Sequence, residues 1–379
     1  MPFIGNKPTA VPLSGNDIQD GTITSADLQS GVIQNQSAFK NIIINGDMSI
    51  AQRSTSVASI TGSGYNTVDR YSLLLDTLGT WTQSQDTTVP TGQGFAKSLK
   101  MDCTTADATP AAGDFLVFQS GFEGQNLQYL KKGTANAVPL TLSFWVKSTK
   151  TGTFIAEIFD NDNSRQISQA YTISSSNTWE KKTLTFAGDT TGTLDNDNGG
   201  SLILNFWLGA GTNFTSGTLQ TTWSSSTNAN RAVGQVNIAD STSNDWYITG
   251  IQLEAGTTAS DFEFLPYDVN LLRCQRYYHK YSSSQNTFFA FHQAKTSTDQ
   301  YWLNLYFEPI MRVAPTVTLN FGSSSVHKPG IRFDTFTITG GPSADAMGYS
   351  VGIDPTVDDS ATCTTCFGNG GNIEANAEL

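Results

Sequence analysis

Charge is scarce in this sequence. Asp, Glu, Lys and Arg make up 14% of its 379 residues, against about 25% in an average globular chain. Such a chain is neither a coiled coil nor an acidic-tail protein. Basic residues never run longer than Lys131–Lys132 or Lys181–Lys182, and the net charge is −12. A groove that tracks phosphates needs clustered positive charge, so a nucleic-acid partner is not expected. Long apolar runs are missing too. None approaches the roughly 20 residues that span a bilayer, so membrane insertion is not expected. The start Met1-Pro2-Phe3-Ile4-Gly5 lacks the basic and apolar stretches of a signal peptide, which predicts synthesis in a cytoplasm.

Chemically versatile residues are few. There are three histidines, His279, His292 and His327, and no Gly-x-Ser-x-Gly elbow accompanies them. No catalytic residue is assigned. Four cysteines are too few for a disulfide scaffold. Cys363-Thr-Thr-Cys366 has the spacing of half a zinc site, but a tetrahedral site needs two more ligands and no second pair is present. Asp160-Asn-Asp-Asn-Ser164 and Asp195-Asn-Asp-Asn-Gly199 open like calcium loops. At the sixth and twelfth positions, where an EF-hand has Gly and Glu, the first has Arg165 and Tyr171 and the second Gly200 but Phe206, which leaves a calcium-binding β-loop and a plain polar turn as alternatives. No metal and no cofactor are assigned.

What is abundant is aromatic and small polar. With 7 Trp, 12 Tyr and 22 Phe the chain can build cores, and its Ser, Thr, Asn and Gly fit an all-β fold with many turns. Residues 1–40 differ from the rest. Leu13, Ile18, Ile23, Leu28 and Ile33 recur every five residues, a period of neither helix nor strand. One chain cannot bury such isolated aliphatics, whereas symmetry mates around an axis can. This predicts an extended stem for trimerisation and attachment; a polar tail is the alternative. Ile42–Ile44 followed by Asn45-Gly46-Asp47 reads as a hairpin, opening a connecting β region over 41–80.

From 81 to 267 the pattern predicts a jelly-roll β-sandwich. Leu140, Leu142, Phe144 and Val146 alternate with Thr141, Ser143, Trp145 and Lys147, and Leu202, Leu204, Phe206 and Leu208 with Ile203, Asn205 and Trp207. Alternate residues face opposite sides of a sheet, so the first sets line a core. Further strands are expected at 154–159, 179–186, 231–238 and 246–253. Leu271, Cys274, Tyr278 and Tyr281 mark one face of a linking helix over 268–282, capped by Asp268. Residues 283–379 form a C-terminal β domain ending in a Gly/Asn-rich loop or frayed terminus.

Trp145 and Trp207, with Trp223 beside them, fall on outward faces. An indole stacks on the apolar face of a sugar while Asn, Asp and Gln take its hydroxyls, so Trp145 and Trp207 are the candidate glycan-binding residues. Packing under loops or at a subunit interface is the competing reading for each.

Several segments carry a resemblance. Asp20-Gly-Thr-Ile-Thr-Ser-Ala-Asp-Leu28 resembles a repeat near the N-terminus of bacteriophage tail fibres. Asn41-Ile-Ile-Ile-Asn-Gly-Asp-Met-Ser-Ile-Ala-Gln-Arg53 resembles the opening of the domain that follows in them. Gly250-Ile-Gln-Leu-Glu-Ala-Gly256, Phe262-Glu-Phe-Leu-Pro-Tyr267 and Leu272-Arg-Cys-Gln-Arg-Tyr-Tyr278 are similar to a run in phage tail proteins. Phe3-Ile-Gly-Asn6 is similar to fibre starts in phages of marine bacteria. The resemblance implies a homotrimeric fibre or spike of the virion tail. Its N-terminus would dock on other virion proteins and its distal β domains would meet a host surface glycan or other receptor, without catalysis. A purely structural virion component (a tail adaptor or head fibre) and a polysaccharide-cleaving tail enzyme are the alternatives.

Overall fold

A computed structural model of the protein describes residues 39–282, 301–320, 323–328, 331–333, 336–338, 343–344, 347–355, 365–369 and 372–379. Leu13, Ile18, Ile23, Leu28, Ile33, His292 and Cys363 lie outside the described residues. Residues Asn41–Leu379 form one compact unit.

Two six-stranded sheets make its main body. The first runs, in spatial order, β1 (Ser56–Ile60), β3 (Thr80–Asp86), β4 (Ser98–Thr105), β12 (Asp245–Ala255), β6 (Leu140–Ser148) and β9 (Glu180–Phe186). The second runs β11 (Ser224–Ser225), β8 (Arg165–Ile173), β7 (Gly152–Asp160), β10 (Gly200–Ala210), β5 (Phe115–Glu123) and β2 (Ser72–Asp76). All these strand pairs are antiparallel. The sheets pack face to face through their inward rows. Phe144 meets Phe206 at 5.1 Å between ring centroids, Phe118 meets Trp246 at 5.8 Å, and Tyr71 stacks on Phe118 at 4.8 Å. Every expected inward residue of β6 and β10 is in this core. The chain is thus mostly β, built on a sandwich of jelly-roll-like layers.

The sandwich begins before residue 81. Residues 41–80 are no connecting region: they supply β1, β2 and the start of β3, and Ile43, Met48 and Ile50 are buried. Ile42–Ile44 is not a strand. Asn45 takes a left-handed turn (φ 61°), its amide nitrogen donating to the Ile50 and Asp69 carbonyls and its amide oxygen accepting from the Ile50 N–H. Residues 231–238 are also irregular; Val236 N–H reaches the Thr153 carbonyl as an edge contact.

The helix is shorter than expected, Tyr267–Gln275 with Pro266 at its N-cap and Asp268 in the first turn. Tyr278–Ser282 leaves it as a strand, because Tyr278 pairs with Asn376 and Ser282 with Asn372. His279 is therefore a strand residue. The end of the chain is not frayed. Asn372–Asn376 is the middle strand of a three-stranded sheet with Tyr278–Ser282 and Thr316–Asn320, and Ile373, Ala375 and Ala377 are buried. Two smaller sheets complete the described C-terminal region: Tyr301–Tyr306 with Gly348–Pro355, Phe336–Ile338 and Ser343–Ala344, and Ile331–Phe333 with Ser323–Lys328 and Thr365–Asn369, which holds Cys366.

Burial of His279 has a measurable consequence. Its ring stacks on Tyr281 at 3.9 Å, its Nε2 lies 3.2 Å from the Gln275 amide, and its Nδ1 has no partner among the described residues. Loss of solvation lowers its pKa from 6.5 to about 4. The folded state thus binds its proton later than the unfolded chain, so its contribution is fully present above pH 6.5 and is lost as pH falls towards 4. His279→Gln is expected to be less acid-sensitive than wild type by on the order of 2 kcal/mol across that window. Urea unfolding at several pH values checks this.

Candidate functional site

The first sheet turns its outer face away from the core, and half of that face is covered. Pairing puts Thr141 opposite Glu254, Ser143 opposite Gln252, Trp145 opposite Thr249 and Lys147 opposite Tyr247. Residues 256–263 lie over the first two pairs. Thr141 Oγ1 donates to the Gly256 carbonyl at 2.8 Å. Gln252 Nε2 donates to the Asp261 carbonyl at 3.2 Å. Glu254 accepts from the Ser260 hydroxyl at 2.6 Å. Thr141, Ser143, Gln252 and Glu254 are all buried as a result.

The cover stops at Trp145. Three phenylalanines make a wall there: Phe95, Phe262 and Phe264 pack mutually with ring centroids 4.8–5.1 Å apart. Gly250 permits the wall. It holds φ +62°, and a Cβ on it would come within 2.5 Å of the Phe95 ring. The result is an open pocket of about 220 Å³ lined by Trp145, Lys181, Ser143, Gln93, Asp261 and the three phenylalanines, with Gly92 and Gly250. Phe264 stands 51% exposed at its lip. Lys181 pairs directly across from Trp145 on β9. The pocket thus combines aromatic faces with an amide, a hydroxyl, a carboxylate and an ammonium. That set can stack on an apolar ring face and hydrogen-bond several hydroxyls.

Beyond Trp145 the face continues to the Lys147 row, where Lys147 and Trp179 are half-buried and Tyr247 is buried beneath them. Lys147 Nζ lies 3.9 Å from the Tyr247 ring centre, and Trp179 meets Tyr247 edge-on at 6.2 Å. Burial raises the Tyr247 hydroxyl to about 12, with the Asp245 charge adding to it. It remains a neutral donor and acceptor at any physiological pH.

Trp207, the second expected glycan residue, is placed differently. It is 2% exposed. Around Trp207 the outer face of the second sheet is covered by residues 211–235, so the open face expected there does not exist. Trp207 packs with Val117, Ile155 and Ala232, meets Phe214 at 5.3 Å and donates Nε1 to Glu157 Oε2 at 3.1 Å. Glu157 also takes both nitrogens of the Arg231 fork, at 2.8 and 2.9 Å, and the Asn205 amide at 3.0 Å. Trp207 is an interior anchor. Trp207→Phe is expected to cost about 1–2 kcal/mol by leaving a buried acceptor short of a donor, with ligand affinity unchanged; thermal unfolding and a binding titration check both halves. Trp223 packs at the core edge and donates to the Ala187 carbonyl at 2.7 Å.

The sequence did carry a signal for this cover. In β7, Phe154-Ile155-Ala156 and Ile158-Phe159 are apolar on both faces, the mark of a strand buried on both sides. The phenylalanine wall had no comparable signal, because its members come from positions 95, 262 and 264 in irregular segments.

A larger hollow of about 440 Å³ lies between Leu127, Gln128, Lys131, Lys132, Thr134, Asn136, Thr193 and Leu194. No aromatic ring lines it. Two of its polar side chains are engaged: the Gln128 amide donates to the Gly124 and Asp195 carbonyls, and Lys132 is held by Asp160 and Asp189. The Asp/Asn-rich loops are engaged in the same way. Asp162 accepts from the Asp195 N–H at 2.9 Å and Asp197 from the Gly199 N–H at 2.8 Å. Among the described residues no group of three or more His, Cys, Asp or Glu is placed to hold a metal ion. No helix among them is long and apolar enough to cross a membrane.

No family model matches the chain, and no curated protein matches it in sequence. Solved structures overlap with it in part. The enzymatically active domain of tailspike protein 4 of bacteriophage CBA120 is 15% identical, the overlap covering 57% of this chain and 21% of that one at a TM-score of 0.30. TmCBM61 in complex with beta-1,4-galactotriose is 10% identical over 57% of this chain and 98% of that one, at 0.29. The family 11 carbohydrate-binding module from Clostridium thermocellum, in complex with a mixed-linked tetrasaccharide, is 11% identical over 54% and 98%, at 0.28.

Proposed function

We propose that this protein is a phage tail fibre or receptor-binding spike that attaches the virion to its host by binding a surface glycan, without cleaving it. The observation that carries the reading is the pocket at Trp145. An indole stands at the floor of an open pocket beside an aromatic wall, with Gln93, Ser143, Asp261 and Lys181 around it. Its lining holds one carboxylate, Asp261, whereas glycoside hydrolysis generally uses two. The tail-fibre-like segments at 20–28, 41–53 and 250–278 support the virion setting. The spacing of Leu13, Ile18, Ile23, Leu28 and Ile33 supports a homotrimer whose N-terminal segment binds other virion proteins.

Two experiments test this. Fluorescently labelled protein should bind some members of a panel of marine bacterial isolates, and periodate oxidation of the cells should abolish that binding. Failure to bind any isolate, or binding that resists periodate, contradicts the glycan reading. Light scattering should give three times the chain mass, and a monomer at micromolar concentration contradicts the trimer.

A further inference from the structure

The outer face of the first sheet continues on one side of Trp145 and is closed on the other, and this asymmetry says which part of a glycan fits. Along β6 the positions Thr141, Ser143, Trp145 and Lys147 follow one another on the same face. Thr141 is sealed under residues 256–263, as are Gln252 and Glu254 on the facing strand, through the Gly256, Ser260 and Asp261 contacts, while Ser143 lies at the edge of the pocket. The Phe95, Phe262 and Phe264 wall stands at that boundary. A chain lying across Trp145 cannot continue past the wall without displacing it. In the other direction the same face continues, among the described residues, with the half-buried Lys147 and Trp179. Lys147, Tyr247 and Trp179 come next, Tyr247 being a diagonal cross-strand neighbour of Trp145.

Building on the glycan reading above, we propose that the pocket binds the terminal unit of a linear surface glycan. The end sugar stacks on Trp145 against the phenylalanine wall. The next unit passes over the half-buried Lys147 and Trp179, where the ammonium offers hydrogen bonds and the indole a stacking face, with Tyr247 buried beneath them. Internal stretches of the same polymer are excluded, because a chain running through would need space on both sides of Trp145.

The test uses the full chain on an array of linear glucan, galactan, mannan and O-antigen oligosaccharide series of increasing length. Each series is coupled once through its reducing end and once through its non-reducing end. Terminal recognition predicts binding in one coupling orientation only, with a signal per immobilised chain that stops rising after the second or third unit. Trp179→Ala should weaken binding of disaccharides and longer chains by about three- to tenfold while leaving monosaccharide affinity unchanged. Phe264→Ala, at the exposed lip, should admit chains coupled through the recognised end. Binding in both orientations with a signal that grows with length would overturn the terminal assignment and leave the glycan reading standing. Absence of binding to every glycan on the array overturns the glycan reading, and this inference with it.

Discussion

Arg70→Ala is expected to lower the stability of the protein by about 3–5 kcal/mol, the range found when one partner of a buried ion pair is removed. The side chain of Arg70 is 2% exposed and that of Glu378, its ion-pair partner, 3%. The guanidinium also donates to the Gly121 carbonyl at 2.8 Å and lies 3.4 Å from the Tyr277 ring centre. Burial alone would depress its pKa, but the Glu378 carboxylate, with Tyr277, Tyr65 and Cys274 adding to it, outweighs that and holds it above the usual arginine range. Arg70 even keeps a left-handed backbone, φ 74°, which few residues with a side chain adopt without compensation elsewhere. Around this pair the end of the chain is fastened to the sandwich. Arg53 reaches Glu378 at 3.4 Å, Arg312 donates to the Ala377 and Glu378 carbonyls at 2.8 and 2.9 Å, and Tyr65 donates to the Leu379 carbonyl at 2.8 Å. Loss of Arg70 leaves Glu378 buried beside a partly satisfied Arg53. The strand Asn372–Asn376 should then lose hydrogen-exchange protection before the sandwich does. Arg70→Met combined with Glu378→Leu should recover most of the loss, because Arg53 keeps Asp69 at 3.7 Å and no charge is left unpaired. An Arg70→Ala variant within 1 kcal/mol of wild type in urea unfolding, a margin typical of exposed pairs, would show that the clamp is not what holds the end of the chain.

Trp145→Ala should reduce glycan affinity by about 10- to 100-fold, equivalent to roughly 1.4–3 kcal/mol, as expected for truncation of a central aromatic contact. The unfolding temperature should change by only a few degrees, because the indole lies outside the core formed by Phe144 and Val146 on the other face of the same strand. Titration calorimetry with a glycan selected on the array, set beside thermal unfolding of the same variant, measures both. A variant that binds as tightly as wild type excludes Trp145 from the site. A variant that unfolds shows that the indole is structural.

The β-sandwich was legible because its inward rows alternate cleanly. Leu140 to Val146 and Leu202 to Leu208 lie on the core side as the period of two requires. The region before residue 81 reads as a connection for a physical reason. Its strands are short, five residues each in β1 and β2, and its polar Ser/Thr/Gly stretches resemble a linker although Tyr71, Leu73 and Leu75 are buried. The helical pattern runs past the helix because Tyr278 and Tyr281 fit a helical stripe as well as they fit a strand. Their partners, Asn376 and Ile373, lie nearly a hundred residues away in sequence, beyond any local pattern. For the site, alternation put Trp145 and Trp207 on outward faces, and both are there. Whether an outward face meets water depends on which loops cross it. Residues 211–235 cover Trp207, whereas residues 256–264 stop short of Trp145, and only the fold fixes those paths.

Photo-crosslinking tests the central claim most directly. A diazirine-bearing form of an array-selected glycan, irradiated with the full chain and mapped by mass spectrometry, reports where the sugar sits. The account predicts labelled peptides covering residues 91–97, 141–147, 179–183 and 259–264, with labelling lost in Trp145→Ala. Labelling concentrated in residues 124–136 and 191–195, around the larger hollow, and unchanged by Trp145→Ala, would contradict it.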